Sequence, residues 1–153
     1  GAIRPRQVSA TNVALPYTYK WRDTLQALNE VAAAGERNRD DAVLLEYTHP
    51  VTGGPTMPTI GCWVQMVPPG ESTRPHRHTS STIYHVVQGQ GVTSVGKSKS
   101  ALQNLAWSAR DCFFVPSWNW HRFENGSRKE RAILFSVTDR PVLESLGLFR
   151  EEE

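Results

Sequence analysis

The sequence is short of several things, and each shortage argues against a class of protein. It holds two cysteines, Cys62 and Cys112, in 153 residues, and neither belongs to a C-x-x-C pair. That argues against a disulfide scaffold and against a zinc ribbon. Both thiols are expected reduced and partly buried on strands. No run approaches the ~20 apolar residues that span a bilayer. The N-terminal stretch GAIRPRQVSATNVALPYTYK lacks the continuous apolar core of a secretory signal. No membrane partner is expected, and the expected compartment is the cytoplasm. Charge of one sign is also scarce: 17 Lys and Arg against 15 Asp and Glu leave a formal +2. This balance speaks against a strongly basic nucleic-acid reader and against an acidic solvating tail. Residue 1 is Gly and not Met, so the chain is expected to be processed, tagged or cut from something longer.

What is present is ordinary globular material, 39% hydrophobic and 21% charged, at a length that suits one domain. Residues 1–17, with Pro5 and Pro16, read as an extended arm. Residues 18–34 read as a helix, because Trp21, Leu25, Leu28, Val31 and Ala32 recur at spacings of three and four. Gly35 ends it. A single domain is expected over 18–153, with a barrel at about 41–138. Its strand candidates are short, β-branched and aromatic: 41–47, 60–67, 82–88, 91–95, 101–107, 112–116, 118–124 and 131–137. Residues 48–58 form a Gly- and Pro-rich loop. Residues 141–149 read as a short closing helix with Pro141 in its first turn. The Glu151–Glu153 tail is expected to be solvated. The fold class is all-β, a sandwich or barrel.

Five histidines are present, His49, His76, His78, His85 and His121. His76 and His78 form H-x-H, and on a strand positions i and i+2 share a face. His121 follows Pro116 on a later strand. Two readings stand side by side: three imidazoles converging on one metal ion, or three hydrogen-bonded strand histidines. Alternation puts Thr82, Tyr84 and Val86 on the site's face, and Ile83, His85 and Val87 on the other. Tyr84 is either a hydroxyl donor to a ligand or an aromatic that fills the barrel. Gln65 either lines the site or pairs with backbone. Trp118 and Trp120 are expected to pack the barrel. His49 reads as surface, and Arg74 and Arg77 as a basic edge or an anion guide.

The spacings match two cupin motifs. The first runs from Gly70 through His76-Arg77-His78 and Thr82 to Gly89; the second runs from Pro116 through His121 to Asn125. The resemblance implies a cupin double-stranded β-helix, a jelly-roll barrel with an N-terminal and a short C-terminal helix, and His76, His78 and His121 as metal ligands. Thr82 stands where the usual cupin has Glu. Three neutral imidazoles then leave a divalent ion with its full charge and with open positions, a setting that suits an anionic chelating substrate plus O2. Imidazole alone does not select the metal, and Ni, Zn, Mn or Cu are alternatives to iron.

The runs LLEYTHPVTGGPTMPTIG, PHRHTSSTIYHVVQGQG, PSWNWHRFEN and LFSVTDRPVLESLGLFREE resemble the C-terminal half of the gentisate 1,2-dioxygenase family, which includes salicylate and 1-hydroxy-2-naphthoate dioxygenases. The resemblance implies a homo-oligomeric Fe(II) enzyme that uses O2 to cleave hydroxylated aromatic carboxylic acids, or the metal-binding C-terminal cupin of one, with an N-terminal catalytic cupin outside this chain. Gln65 matches a strand Gln of that family's catalytic cupin. Tyr84 and Phe123 stand where that cupin has an Arg and a His that handle substrate. Tyr84 and Gln65 are the candidate catalytic residues. The alternatives are a non-catalytic assembly cupin and another metal-dependent cupin, an isomerase or decarboxylase of a small acid.

Overall fold

The computed structural model describes residues 16–153, so most of the expected arm lies outside the described residues. The chain runs through α1 (Trp21–Ala33), β1 (Val43–Tyr47), β2 (Gly61–Val67), β3 (Arg77–His78), β4 (Thr82–Gln88), β5 (Gln90–Ser98), β6 (Ala101–Ser108), β7 (Cys112–Val115), β8 (Trp120–Glu124), β9 (Ala132–Thr138), α2 (Arg140–Ser145) and β10 (Glu151–Glu152). One sheet has the order β1-β2-β9-β4-β7 and a second has β6-β5-β8, and β10 pairs with β3. The strand pairs are antiparallel. This is the expected all-β architecture with a helix near each end.

Strand alternation explains why the two sheets close on each other. Tyr84 and Val86 point inward from β4, beside Val67, Val115, Phe123 and Leu134, and these residues form one buried cluster with Trp107 and Ala132. Ile83 of the same strand is exposed. A second cluster sits on the far face of the larger sheet, where Leu28 of α1 covers Val43, Val64, Met66 and Ile133. At the β4–β5 corner Gly89 has φ 86°, and a Cβ there would meet the Arg131 carbonyl at 2.6 Å. Only Gly fits that turn.

Several elements differ from expectation, each for a local reason. The helix begins at Trp21 and not at residue 18, because the residues before it are tied down in extended form. The Tyr19 hydroxyl donates to the Thr48 carbonyl at 2.6 Å, and the Tyr17 hydroxyl donates to that of Thr56. Trp21 is consequently exposed and not on the buried stripe. The strand expected from residue 118 begins at Trp120. Trp118 instead occupies a turn with φ 58°, a strained conformation for a non-glycine residue. It does not pack the barrel: it is exposed, with the Arg77 guanidinium 4.3 Å from its ring centroid. Trp120 is buried as expected. The acidic tail is exposed as expected, but it is also paired. Glu151 and Glu152 pair with His78 and Arg77, Thr79 exchanges hydrogen bonds with Arg150, and the Thr79 hydroxyl donates to the Leu148 carbonyl. Cys62 is half-buried, whereas Cys112 is exposed; both are free.

Candidate metal centre

Two strand segments distant in sequence build the centre. His76 and His121 face each other across an antiparallel bridge. His78 follows on β3. One nitrogen from each of the three rings lies within 4.8 Å of the other two. The Nδ1 atoms face outward to backbone: His76 to the Arg74 carbonyl at 3.3 Å, His78 to that of Ser80 at 3.0 Å, and His121 to that of Asn119 at 3.0 Å. A carbonyl only accepts, so each contact is satisfied by a proton on Nδ1. That tautomer leaves Nε2 of each ring as a bare lone pair. His121 Nε2 is buried and has no hydrogen-bond partner among the described residues. An unpartnered acceptor in a group of converging imidazoles has the donor chemistry that a divalent ion requires.

Electrostatics points the same way. Burial pushes the His78 pKa down to about 4, and His76 beside it adds to the shift. Burial likewise holds His121 well below the usual imidazole range, with His76 and His78 contributing. Both rings are therefore neutral near pH 7, the form in which imidazole binds metal. The donor set fits a divalent ion: three imidazole nitrogens on rings oriented by backbone, two of the rings held neutral by burial.

Beside the histidines lies a cleft with about 460 Å³ of empty space, its open mouth included. Both candidate catalytic residues line it. Gln65 is buried; its Nε2 donates to the Asp41 carbonyl at 2.9 Å, while its Oε1 has no partner among the described residues. Tyr84 is buried too, stacked on Phe113 at 5.1 Å between ring centroids. It therefore packs the barrel and borders the cleft at once. Burial, then the Asp41 charge, pushes its phenol well above the usual range, which keeps the O–H protonated.

The other sequence candidates fall elsewhere. His85 points to the outer face, against Cys112 Sγ at 3.4 Å, and His49 is half-buried in its loop, where its Nδ1 accepts from the N–H groups of Val51 and Thr52. Arg77 is committed to Glu152, and Arg74 lines a separate groove with Arg37 and Arg39. Neither guides an anion into the cleft. Two residues that the sequence reading passed over do line it: Asp41 and Arg140. Asp41 Oδ1 stands 3.7 Å from His76 Nε2. Arg140 anchors Nε on Glu144 at 2.7 Å and lies 4.2 Å from the Phe149 ring centroid. Its two terminal amino groups have no hydrogen-bond partner among the described residues. The one available signal was charge: an Asp pair just before the first strand, and an Arg just after the last barrel strand.

Among the described residues no helix is long and apolar enough to cross a membrane. Residues 63–138 match the Cupin domain family. The chain is 41% identical over 135 residues to a 5-aminosalicylate 1,2-dioxygenase of Comamonas sp., covering 88% of this chain and 34% of that protein. It is 36% identical over 139 residues to a gentisate 1,2-dioxygenase of Haloferax sp., covering 90% and 36% respectively. The crystal structure of a salicylate 1,2-dioxygenase from Pseudoaminobacter salicylatoxidans, in adducts with gentisate, superposes with a TM-score of 0.75 at 26% identity, covering 88% of this chain and 36% of that one. The chain thus spans about a third of the length of the relatives it matches.

Proposed function

Given that this chain is a cupin resembling the gentisate dioxygenase family, we propose that it holds Fe(II) on His76, His78 and His121 and serves the O2-dependent ring cleavage of a hydroxylated aromatic carboxylic acid. The supporting observation is the set of three imidazoles with Nδ1 tied to carbonyls and Nε2 free toward one another. When bound, iron supplies a Lewis-acidic, redox-active centre with open positions for substrate oxygens and O2.

The chain's own residues supply recognition. The free edge of Arg140 offers two parallel N–H donors, the fork that matches a carboxylate. Trp63 and Phe149 flank its guanidinium, at 5.5 and 4.2 Å to the ring centroids, and limit its motion. The unpaired Oε1 of Gln65 accepts a proton-bearing group such as a ring hydroxyl. The protonated Tyr84 hydroxyl donates. The aromatic wall of Tyr84, Phe113 and Phe123 behind the cleft keeps bulk water from the ring. The proposal extends to a cytoplasmic homo-oligomer, as the family resemblance implies.

The test is anaerobic loading with Fe(II), followed by an oxygen-electrode trace with gentisate, salicylate, 5-aminosalicylate and 1-hydroxy-2-naphthoate. Uptake with at least one acid is expected; no uptake from iron-loaded protein overturns the reading. A second reading, an assembly cupin without turnover, is favoured by Ile83 and Phe114. They stand opposite each other on β4 and β7, 54% and 52% exposed, and form an apolar patch on the outer face. The same trace separates the two.

A further inference from the structure

Asp41 has no role in the site as described so far, yet the fold delivers it there at a cost. Residues 38–42 form a tight turn: Asn38 N–H donates to the Ala42 carbonyl at 2.7 Å, and Asp40 N–H donates to Asn38 Oδ1 at 2.9 Å. Ala42 is buried with φ 58°, a left-handed conformation that favours glycine. Strained backbone persists only where its surroundings over-determine it. Here two clamps do so. Gln65 Nε2 from β2 holds the Asp41 carbonyl, and the Arg74 N–H, two residues before His76, holds the Arg39 carbonyl at 2.9 Å.

The result is a carboxylate in the cleft, its Oδ1 3.7 Å from His76 Nε2, with no hydrogen-bond donor to it among the described residues. The Asp41 side chain is 18% exposed in a cleft it shares with Arg140; an anion held there without a direct donor favours a cation facing it. His76 Nε2, which the metal reading leaves unprotonated, faces it at 3.7 Å. A cation placed between them satisfies both. Two ligand atoms on one ion stand at most about 4.2 Å apart, twice an ordinary metal–ligand bond, and 3.7 Å lies inside that limit. Thr82, buried on β4 beside the same cleft, supplies no negative charge.

We propose that Asp41 is the carboxylate of this metal centre, presented to the ion on the His76 side by the strained turn before β1, directly or through one bound water. It lowers the charge of a tri-imidazole site by one and so sets the site's affinity. The assignment rests on the metal reading above.

Isothermal titration of Co(II) into metal-free protein tests it, with the visible Co(II) spectrum as a second readout. The isosteric Asp41→Asn variant and Asp41→Ala are each expected to bind Co(II) about 10- to 100-fold more weakly than wild type, with an altered spectrum. A change of twofold or less in both variants overturns the assignment. Thermal unfolding of the metal-free proteins guards against a folding effect. Asp41→Asn is expected to melt at or above wild type, because it removes a half-buried charge that has no hydrogen-bond donor among the described residues. A clearly lower melt in both variants makes Asp41 a structural residue and also overturns it. Wild type that binds no Co(II) defeats the metal reading as a whole; wild-type binding with unchanged Asp41→Asn defeats only the role of Asp41.

Discussion

His76 and His121 are hydrogen-bonded to each other through their main chains, N–H to carbonyl at 3.0 Å and 2.8 Å, with ring centroids 4.2 Å apart. The distance between two of the three imidazoles is thus set by a backbone bridge and not by side-chain freedom. A site built this way is formed before the ion arrives and loses little entropy on binding it.

That rigidity makes removal of one imidazole decisive. His121→Ala is expected to abolish stoichiometric metal binding while the bridge to His76, made by backbone, keeps the fold. Metal content by emission spectroscopy and thermal unfolding of the metal-free variant check both halves. Retained metal would show that the ligands are wrongly assigned.

The depressed histidines give the metal-free protein a pH dependence with a definite sign. An unfolded His titrates near 6.5, whereas folded His78 titrates at about 4 and His121 lies well below its usual range. Between these values the unfolded chain binds more protons than the folded one, so stability falls as pH falls. Asp41 and Glu46 oppose this, because their raised pKa values let the folded state take up protons first. The histidines start from an unfolded value near 6.5, so their loss comes first as pH falls from 7. The melting temperature of metal-free protein is expected to drop from pH 7 to pH 4.5, and His78→Asn should flatten the slope. A melting temperature that is level across this range would contradict the burial of neutral rings.

Much of this was readable in the sequence because it depends on periods. H-x-H fixes one face of a strand whatever the register, and alternation along 82–88 correctly sent Tyr84 inward and Ile83 outward. Asp41 and Arg140 were not readable, because neither lies on a periodic element that faces the site. Asp41 arrives through a left-handed Ala42, and Arg140 through the docking of a six-residue helix. The pairing of Glu151 and Glu152 with β3 was hidden for another reason: a two-residue strand has no alternation to read, and its acidic residues read as solvent-exposed. Trp118 misled by composition, since an aromatic between strand residues suggests core, whereas the turn turns it outward.

Arg140 makes a prediction about substrate alone. Its guanidinium touches none of the histidines, and its Glu144 partner is a half-exposed i,i+4 pair worth a few tenths of a kcal/mol. Arg140→Met should not weaken metal binding, because it removes a positive charge near the site, and should lower the melting temperature only slightly through the lost stacking on Trp63 and Phe149. It should raise KM for an aromatic carboxylate about 10-fold or more, the scale of a lost charge-assisted hydrogen bond. Steady-state kinetics against Co(II) titration of the same variant makes the comparison. Unchanged KM would show that the carboxylate binds elsewhere.

Asn125 carries the fold and not the chemistry. It is buried, its Nδ2 donates to the carbonyls of Val67, Pro68 and Glu130, and its Oδ1 accepts from the Ser127 N–H. Asn125→Ala strands several buried acceptors at once and is expected to cost about 3 kcal/mol. Denaturant unfolding measures it, and a loss below about 0.5 kcal/mol would mean that water replaces the amide at no cost.

Tyr84 holds the remaining choice between packing and chemistry, and one atom separates them. Its ring is stacked on Phe113 and meets Phe123 edge-on, both 5.1 Å between centroids, and Phe in its place would keep those contacts. Tyr84→Phe is therefore expected to retain the wild-type melting temperature and metal affinity. If the hydroxyl donates to bound substrate, kcat/KM falls by about 10-fold, the net worth of one buried hydrogen bond. Burial holds the phenol protonated well past neutral pH, so the effect should not vary between pH 6 and 9. Unchanged kcat/KM would assign Tyr84 to the core alone and leave Gln65 and Arg140 as the groups that meet substrate.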